Sequence, residues 1–175
     1  MPWPSPAPGD YQAVEKHLGR KPVGLFAVVA RRGSISGSPA VIACWPIIAD
    51  IKPMPTLFWL VDPELNHKVS QLESGGVIAR ARAGVDQAKL AEAHDRYRRI
   101  RDDLIPLDYL GPRPSGGIGG TASGVKCIHA HVAFEVVSGC DPVVGWLNAE
   151  LDAAIDSRGL FLCEFPQGLE SLNSK

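Results

Sequence analysis

The chain has 175 residues, of which 45% are hydrophobic and 21% charged, with a formal net charge of -1. That length and balance suit one self-sufficient globular domain and exclude a global electrostatic pull toward nucleic acid or an anionic membrane. Residues 1–9 are proline-rich and lack a basic region followed by an apolar run, so no secretory signal is read there. Apolar stretches such as Leu57-Phe58-Trp59-Leu60-Val61 are too short to span a bilayer. A cytoplasmic location is therefore expected, with Cys44, Cys127, Cys140 and Cys163 reduced.

In chain order, residues 1–9 read as a disordered lead-in, with Trp3 at the surface. A first helix is expected over 10–18, capped by Asp10 and closed by Gly19. Two β-type runs, 24–30 and 40–45, flank a polar, glycine-bearing connector and predict a hairpin with a long loop. Residues 46–55 read as irregular. Residues 56–61 form a third strand, apolar enough to be central and covered on both faces.

Asp62-Pro63 opens a helix that runs to Glu73 and is ended by Gly75-Gly76, and a short helical piece follows over 77–83. The clearest helix spans 86–104: Leu90, Tyr97 and Leu104 recur every seven residues, flanked by Ala93 and Ile100. Its charges alternate in sign, which is the pattern of a solvated face and not of a nucleic-acid surface. Residues 106–124 are a proline- and glycine-rich loop. Asp141-Pro142 begins a last helix to about residue 155, and in the 156–175 tail an apolar patch over 160–165 is available to dock on the body.

The chemistry concentrates in Gly124-Val-Lys-Cys-Ile-His-Ala-His131, just after Gly116-Gly117-Ile118-Gly119-Gly120. Read as a strand, Cys127, His129 and His131 share one face. Read as a helix, Cys127 and His131 lie one turn apart and His129 points away. The length of 125–138 and the Gly139 stop favour the helix.

Val14-Glu15-Lys16-His17-Leu18-Gly19-Arg20, Pro55-Thr56-Leu57-Phe58-Trp59-Leu60, Ala93-His94 with Tyr97, and Val125-Lys126-Cys127-Ile128-His129 occur in this order. Over roughly residues 10–150 they resemble a bacterial family catalogued as domain of unknown function 501, the Lys-Cys-aliphatic-His element being the most specific part. The resemblance implies a helix over the segment matching 126–138. It implies no activity beyond a hint of phosphate chemistry, because members tend to be encoded beside exopolyphosphatase and cell-division genes. Members commonly carry Arg-Cys-Pro where this chain has Arg32-Gly33-Ser34, which weakens a cysteine-cluster reading here.

Four chemistries fit these residues. Zinc takes thiolate and imidazole ligands, so Cys127, His131 and an inward-facing His94 form one candidate metal set. The plain alternative is a packed thiol and a histidine bonded to backbone. Backbone amides of Gly116, Gly117, Gly119 and Gly120, a helix N-terminus, Lys126, Arg113 and Tyr97 suit a small anionic or phosphate-bearing ligand. A phosphate-binding loop of the ATPase kind is rejected, since Val125 precedes the lysine and Cys127 stands where Ser or Thr is required. Cys127 at a helix start beside Lys126 is a candidate nucleophile of lowered pKa, with His94, His129 or His131 as base. Lastly, the chain suits an adaptor that binds a protein partner and keeps a structural Cys/His cluster.

The reading is an α+β domain over 10–155: a small, mainly antiparallel sheet of about three strands covered by helices. Its ligand is a small anion or a protein, not nucleic acid or membrane. Its oligomeric state and reaction class stay open, with zinc the one cofactor considered.

Overall fold

The computed structural model describes residue 3 and residues 5–49, 52–151, 153, 155 and 159–163. Expectations for residues 1, 2, 4, 50, 51, 152, 154, 156–158 and 164–175 lie outside these.

Helix α1 is Pro8–Leu18. It starts earlier than expected because Pro8 occupies the first turn, where its missing N–H costs nothing. Asp10 therefore sits inside that turn and is not the cap. Its carboxylate accepts the Ala7 N–H at 2.8 Å and forms a two-pronged pair with Arg31 at 2.8 and 2.7 Å. The Arg31 hydrogen bonds hold the Asp10 carboxyl below its ordinary pKa against the opposing effect of burial.

The main sheet contains β1 Phe26–Arg32, β2 Pro39–Cys44, β5 Phe58–Leu60 and β6 Leu160–Leu162 in the order β5-β2-β1-β6, each pair antiparallel. The first two strands form the expected hairpin. Two shorter strands, β3 Ile47–Ile48 and β4 Lys52–Pro53, pair in the stretch read as irregular. β5 lies at the edge, not in the centre, because the tail strand β6 adds to the far side of β1 and leaves β1 and β2 in the middle. Apolar tail residues thus do dock, as a strand.

Side-chain alternation divides the core in two. Phe26, Val28, Ile42 and Cys44 pack with Val14 of α1 on one face. Ala27, Val29, Val41, Ala43, Phe58 and Leu60 pack on the other with the remaining helices: α2 Pro63–Ser74, α3 Val77–Gly84, α4 Gln87–Asp102, α5 Ile128–Ser138 and α6 Pro142–Leu151. Trp3, expected at the surface, is buried in this larger core at 4% exposure. The α+β architecture with a small antiparallel sheet is as read from the sequence.

Helix α5 is the central element. Ile128, Ala130, His131, Val132, Ala133, Phe134, Val136 and Val137 are all buried, so the helix is apolar nearly all round and packs on β5, α2 and α6. Rings of Phe58, Tyr97 and Phe134 meet at centroid distances of 5.9, 5.4 and 6.4 Å and lock β5, α4 and α5 together. Asp62 caps α2 by accepting the Leu65 N–H at 2.9 Å. Among the described residues, no helix is long and apolar enough to cross a membrane.

Candidate functional site

The start of α5 decides what the octapeptide can do. The segment is a helix from Ile128, but Cys127 is its extended N-cap, with φ -149° and ψ 120°. A residue outside the helix does not obey the one-turn rule, so Cys127 does not line up with His131. Instead its Sγ lies 4.0 Å from Nδ1 of His129. Glu73, in the last turn of α2, completes this corner: its Oε1 accepts the Ile128 N–H at 2.6 Å and lies 3.3 Å from the same Nδ1. Nε2 of His129 faces the Ser70 hydroxyl, also on α2, at 3.2 Å. Among the described residues, Glu73, Cys127 and His129 form the one group of three or more ligating side chains whose donor atoms lie within 4.8 Å of one another.

The three-residue metal set expected from the sequence, Cys127, His131 and His94, is not assembled. His131 is fully buried, with Nδ1 held by Asp141 at 2.8 Å. His94 lies on the same inner side, its ring centroid 6.0 Å from that of His131. His94 Nδ1 accepts the Ile118 N–H and its Nε2 donates to the Gly124 carbonyl, each at 3.0 Å. Burial, the largest influence, lowers the His94 pKa below its ordinary value. The imidazole is thus a neutral tie between α4 and the glycine loop, and it faces a cleft lined by Asp95, Arg98, Ser123 and Gly124, away from Cys127.

Two of the four loop amides expected to hold an anion are committed to the protein itself. Gly117 donates to the Thr121 carbonyl at 2.7 Å, and Gly120 to the Gly117 carbonyl at 2.9 Å. The Gly116 carbonyl accepts from Nη1 of Arg101 at 2.7 Å. Glycine is required at 117 because a Cβ there would stand 2.5 Å from His94 Nδ1. The helix N-terminus also has its anion already, in Glu73.

The remaining expected ligand residues are placed as follows. Tyr97 is fully buried, and its hydroxyl accepts the N–H groups of Leu57 and Phe58 at 2.6 and 3.3 Å. Burial pushes its pKa to about 12, and the buried hydroxyl anchors the start of β5. Arg113 is exposed and bonds the Pro106 carbonyl at 3.2 Å. Lys126 is exposed at the mouth of the α5 turn. Gly119 is the loop glycine that reaches the corner.

Beside that corner lies a hollow of about 330 Å³ between α1, β5, α2 and α5. Its walls are mostly apolar, with Leu18, Phe58, Trp59 and Leu60 among them, and Cys127 and His129 supply one polar end. Burial raises the Cys127 thiol pKa, contrary to the lowering expected from a helix N-terminus and Lys126. Burial, with the nearby Glu73 carboxylate adding to it, outweighs the backbone hydrogen bonds of Ala130 and His129 that favour a thiolate.

Two participants escaped sequence reasoning. Glu73 carried one signal, an acid in the last turn of a helix, where the dipole disfavours it. Ser70 carried none. A family model described as a protein of unknown function (DUF501) matches residues 29–149. No curated protein and no solved structure matches the chain.

Proposed function

The chain belongs to the DUF501 family, and from the geometry of its own residues we propose that it binds a small molecule in the hollow beside the α5 N-terminus. One observation carries the reading: a half-open, mostly apolar hollow of about 330 Å³ ends in Cys127 and His129. Ligand sites commonly have this form, a mostly apolar cavity of roughly 300–1,000 Å³ with a few convergent polar groups. Phe58, Trp59 and Leu60 would hold the body of the ligand. His129 and Cys127 would meet its head group, with Gly119 letting the loop backbone approach closely.

A phosphate seated on the glycine loop is the less favoured form of ligand. The amides of Gly117, Ile118 and Gly120 already have partners, and Glu73 adds negative charge where the phosphate would sit. Proton transfer at the ligand would fall to His129 alone, since His94 faces another cleft.

The test is saturation-transfer NMR on the full chain against small aromatic and aliphatic molecules that each carry one alcohol, amine or carboxylate. Saturable binding is expected in the wild type. It should be lost in Thr56→Trp, which fills the hollow from its half-buried rim. Equal binding by the filled variant would remove the reading.

A second reading, a partner-binding module, is favoured by Leu107 and Leu110, which are 100% and 98% exposed on the connector after α4. Burying such side chains against a partner would contribute about 1.5–3 kcal/mol each. In that case Leu107→Asp with Leu110→Asp abolishes a defined complex while leaving the hollow unchanged.

A further inference from the structure

We propose that Glu73, Cys127 and His129 form a binding site for one zinc-like divalent ion, with an open coordination position directed at the hollow. The inference rests on the ligand-binding reading and deepens it by naming what would engage the ligand's head group.

The geometry separates a metal site from a catalytic relay. In a thiol–imidazole–carboxylate relay the thiol and the acid take opposite nitrogens of the ring. Here both approach the same one: Sγ of Cys127 is 4.0 Å and Oε1 of Glu73 is 3.3 Å from Nδ1 of His129. Three different donor atoms, all within 4.8 Å of one another, are arranged for a cation. Tetrahedral zinc, with bonds of about 2.3 Å to sulfur and about 2.0–2.1 Å to nitrogen and oxygen, needs edges of about 3.6 Å between S and N and about 3.4 Å between N and O. The two edges to Nδ1, 4.0 and 3.3 Å, lie within a few tenths of an ångström of these.

The surrounding hydrogen bonds also suit a metal. A metallated imidazole uses its other nitrogen as a donor to an orienting group. His129 Nε2 faces Ser70 Oγ at 3.2 Å, which fits that role. The Glu73 carboxylate is steered by the Ile128 N–H at 2.6 Å, as outer hydrogen bonds steer ligating carboxylates. His129 and Glu73 side chains each keep 24% of their surface exposed, which leaves an entry path. Three protein ligands plus one free position is the arrangement of zinc sites that engage a substrate, whereas purely structural sites close all four. Thiolate, imidazole and carboxylate together favour zinc or a neighbouring transition ion over magnesium or calcium, which prefer oxygen.

The experiment uses full-length protein stripped with a chelator and titrated with zinc alone, then with cobalt as a spectroscopic probe. We expect one equivalent of zinc and a thiolate-to-cobalt charge-transfer band. Cys127→Ser, a near-isosteric change, should abolish the band, and His129→Gln should weaken zinc binding by at least as much. Ser70→Ala should cost about tenfold in affinity, because it removes only the orienting partner. Cys140→Ser, an exposed thiol elsewhere, should change nothing. Zinc affinity unchanged in both Cys127→Ser and His129→Gln, or a cobalt band that persists in Cys127→Ser, overturns the site. Thr56→Trp fills the hollow and spares all three ligands, so it should keep zinc while losing the small molecule. Failure of the metal and failure of the hollow are thereby read separately.

Discussion

Replacing Arg101 by methionine should destabilise the protein by about 2–4 kcal/mol, although Arg101 looks in sequence like one more charge on a solvated helix. Its side chain is 1% exposed. Nη1 donates to the Gly116 carbonyl at 2.7 Å and Nη2 to the Pro114 carbonyl at 3.1 Å, with longer contacts of 3.4 Å to Pro55 and Ser115. Nε reaches the Asp102 carboxylate at 2.9 Å. Methionine fills similar space but donates nothing, so the Pro114 and Gly116 carbonyls lose their partners at about 1–3 kcal/mol for each that stays buried. Gly116 is half-buried and can recover part of this from water, which sets the range. Urea denaturation should show the loss directly, and the melting temperature should fall by about 5–15 °C. Amide exchange should accelerate first at Gly117 and Gly120. A variant within about 0.5 kcal/mol of wild type, the range of ordinary surface changes, would refute the claim that this guanidinium holds the loop.

Three other outcomes follow from named contacts. Tyr97→Phe keeps the ring packing but leaves the Leu57 N–H, bonded at 2.6 Å, without its acceptor; a loss of about 1–3 kcal/mol is expected by chemical denaturation. Gly117→Ala places a Cβ 2.5 Å from His94 Nδ1 and should cost about 1–3 kcal/mol by overpacking, visible as a lowered melting temperature and faster exchange at Ile118. Acidification should weaken the fold in two windows. Burial holds His94 below its ordinary 6.5, so the unfolded chain takes up a proton first; stability is full above about pH 6.5 and falls as pH drops below it. Burial raises the pKa of Asp62, but its hydrogen bonds from Arg32 and the α2 amides outweigh this and hold it below 3.8; its contribution is present above that value and is lost as pH falls further. Thermal melts between pH 8 and 3 should show both steps, and His94→Gln should flatten the upper one only.

Much of the fold was legible because it depends on local signals. The hairpin of β1 and β2, the Asp62-Pro63 start of α2, the seven-residue recurrence of Leu90, Tyr97 and Leu104, and the Gly139 stop of α5 are each determined by a few neighbouring residues. Within the octapeptide, Cys127 and His129 line one hollow. What failed was grouping by periodicity: Cys127 is an extended cap, so rules for residues inside a helix put it beside the wrong histidine.

The identity of each residue's partner was decided by tertiary structure. His94 and Cys127 both looked reactive, yet one ties α4 to the glycine loop and the other faces α2. Glu73 lies 54 positions before Cys127 and Arg101 lies 46 after Pro55, and no spacing rule links such pairs. Chain order sets which segments become helix or strand, because those choices are made over a few residues. Only the packing of α2 against α5 and of α4 against the 114–121 loop brings distant carboxylate, thiol, imidazole and guanidinium groups within bonding distance, because hydrogen bonds and coordination act over a few ångströms whatever the separation along the chain.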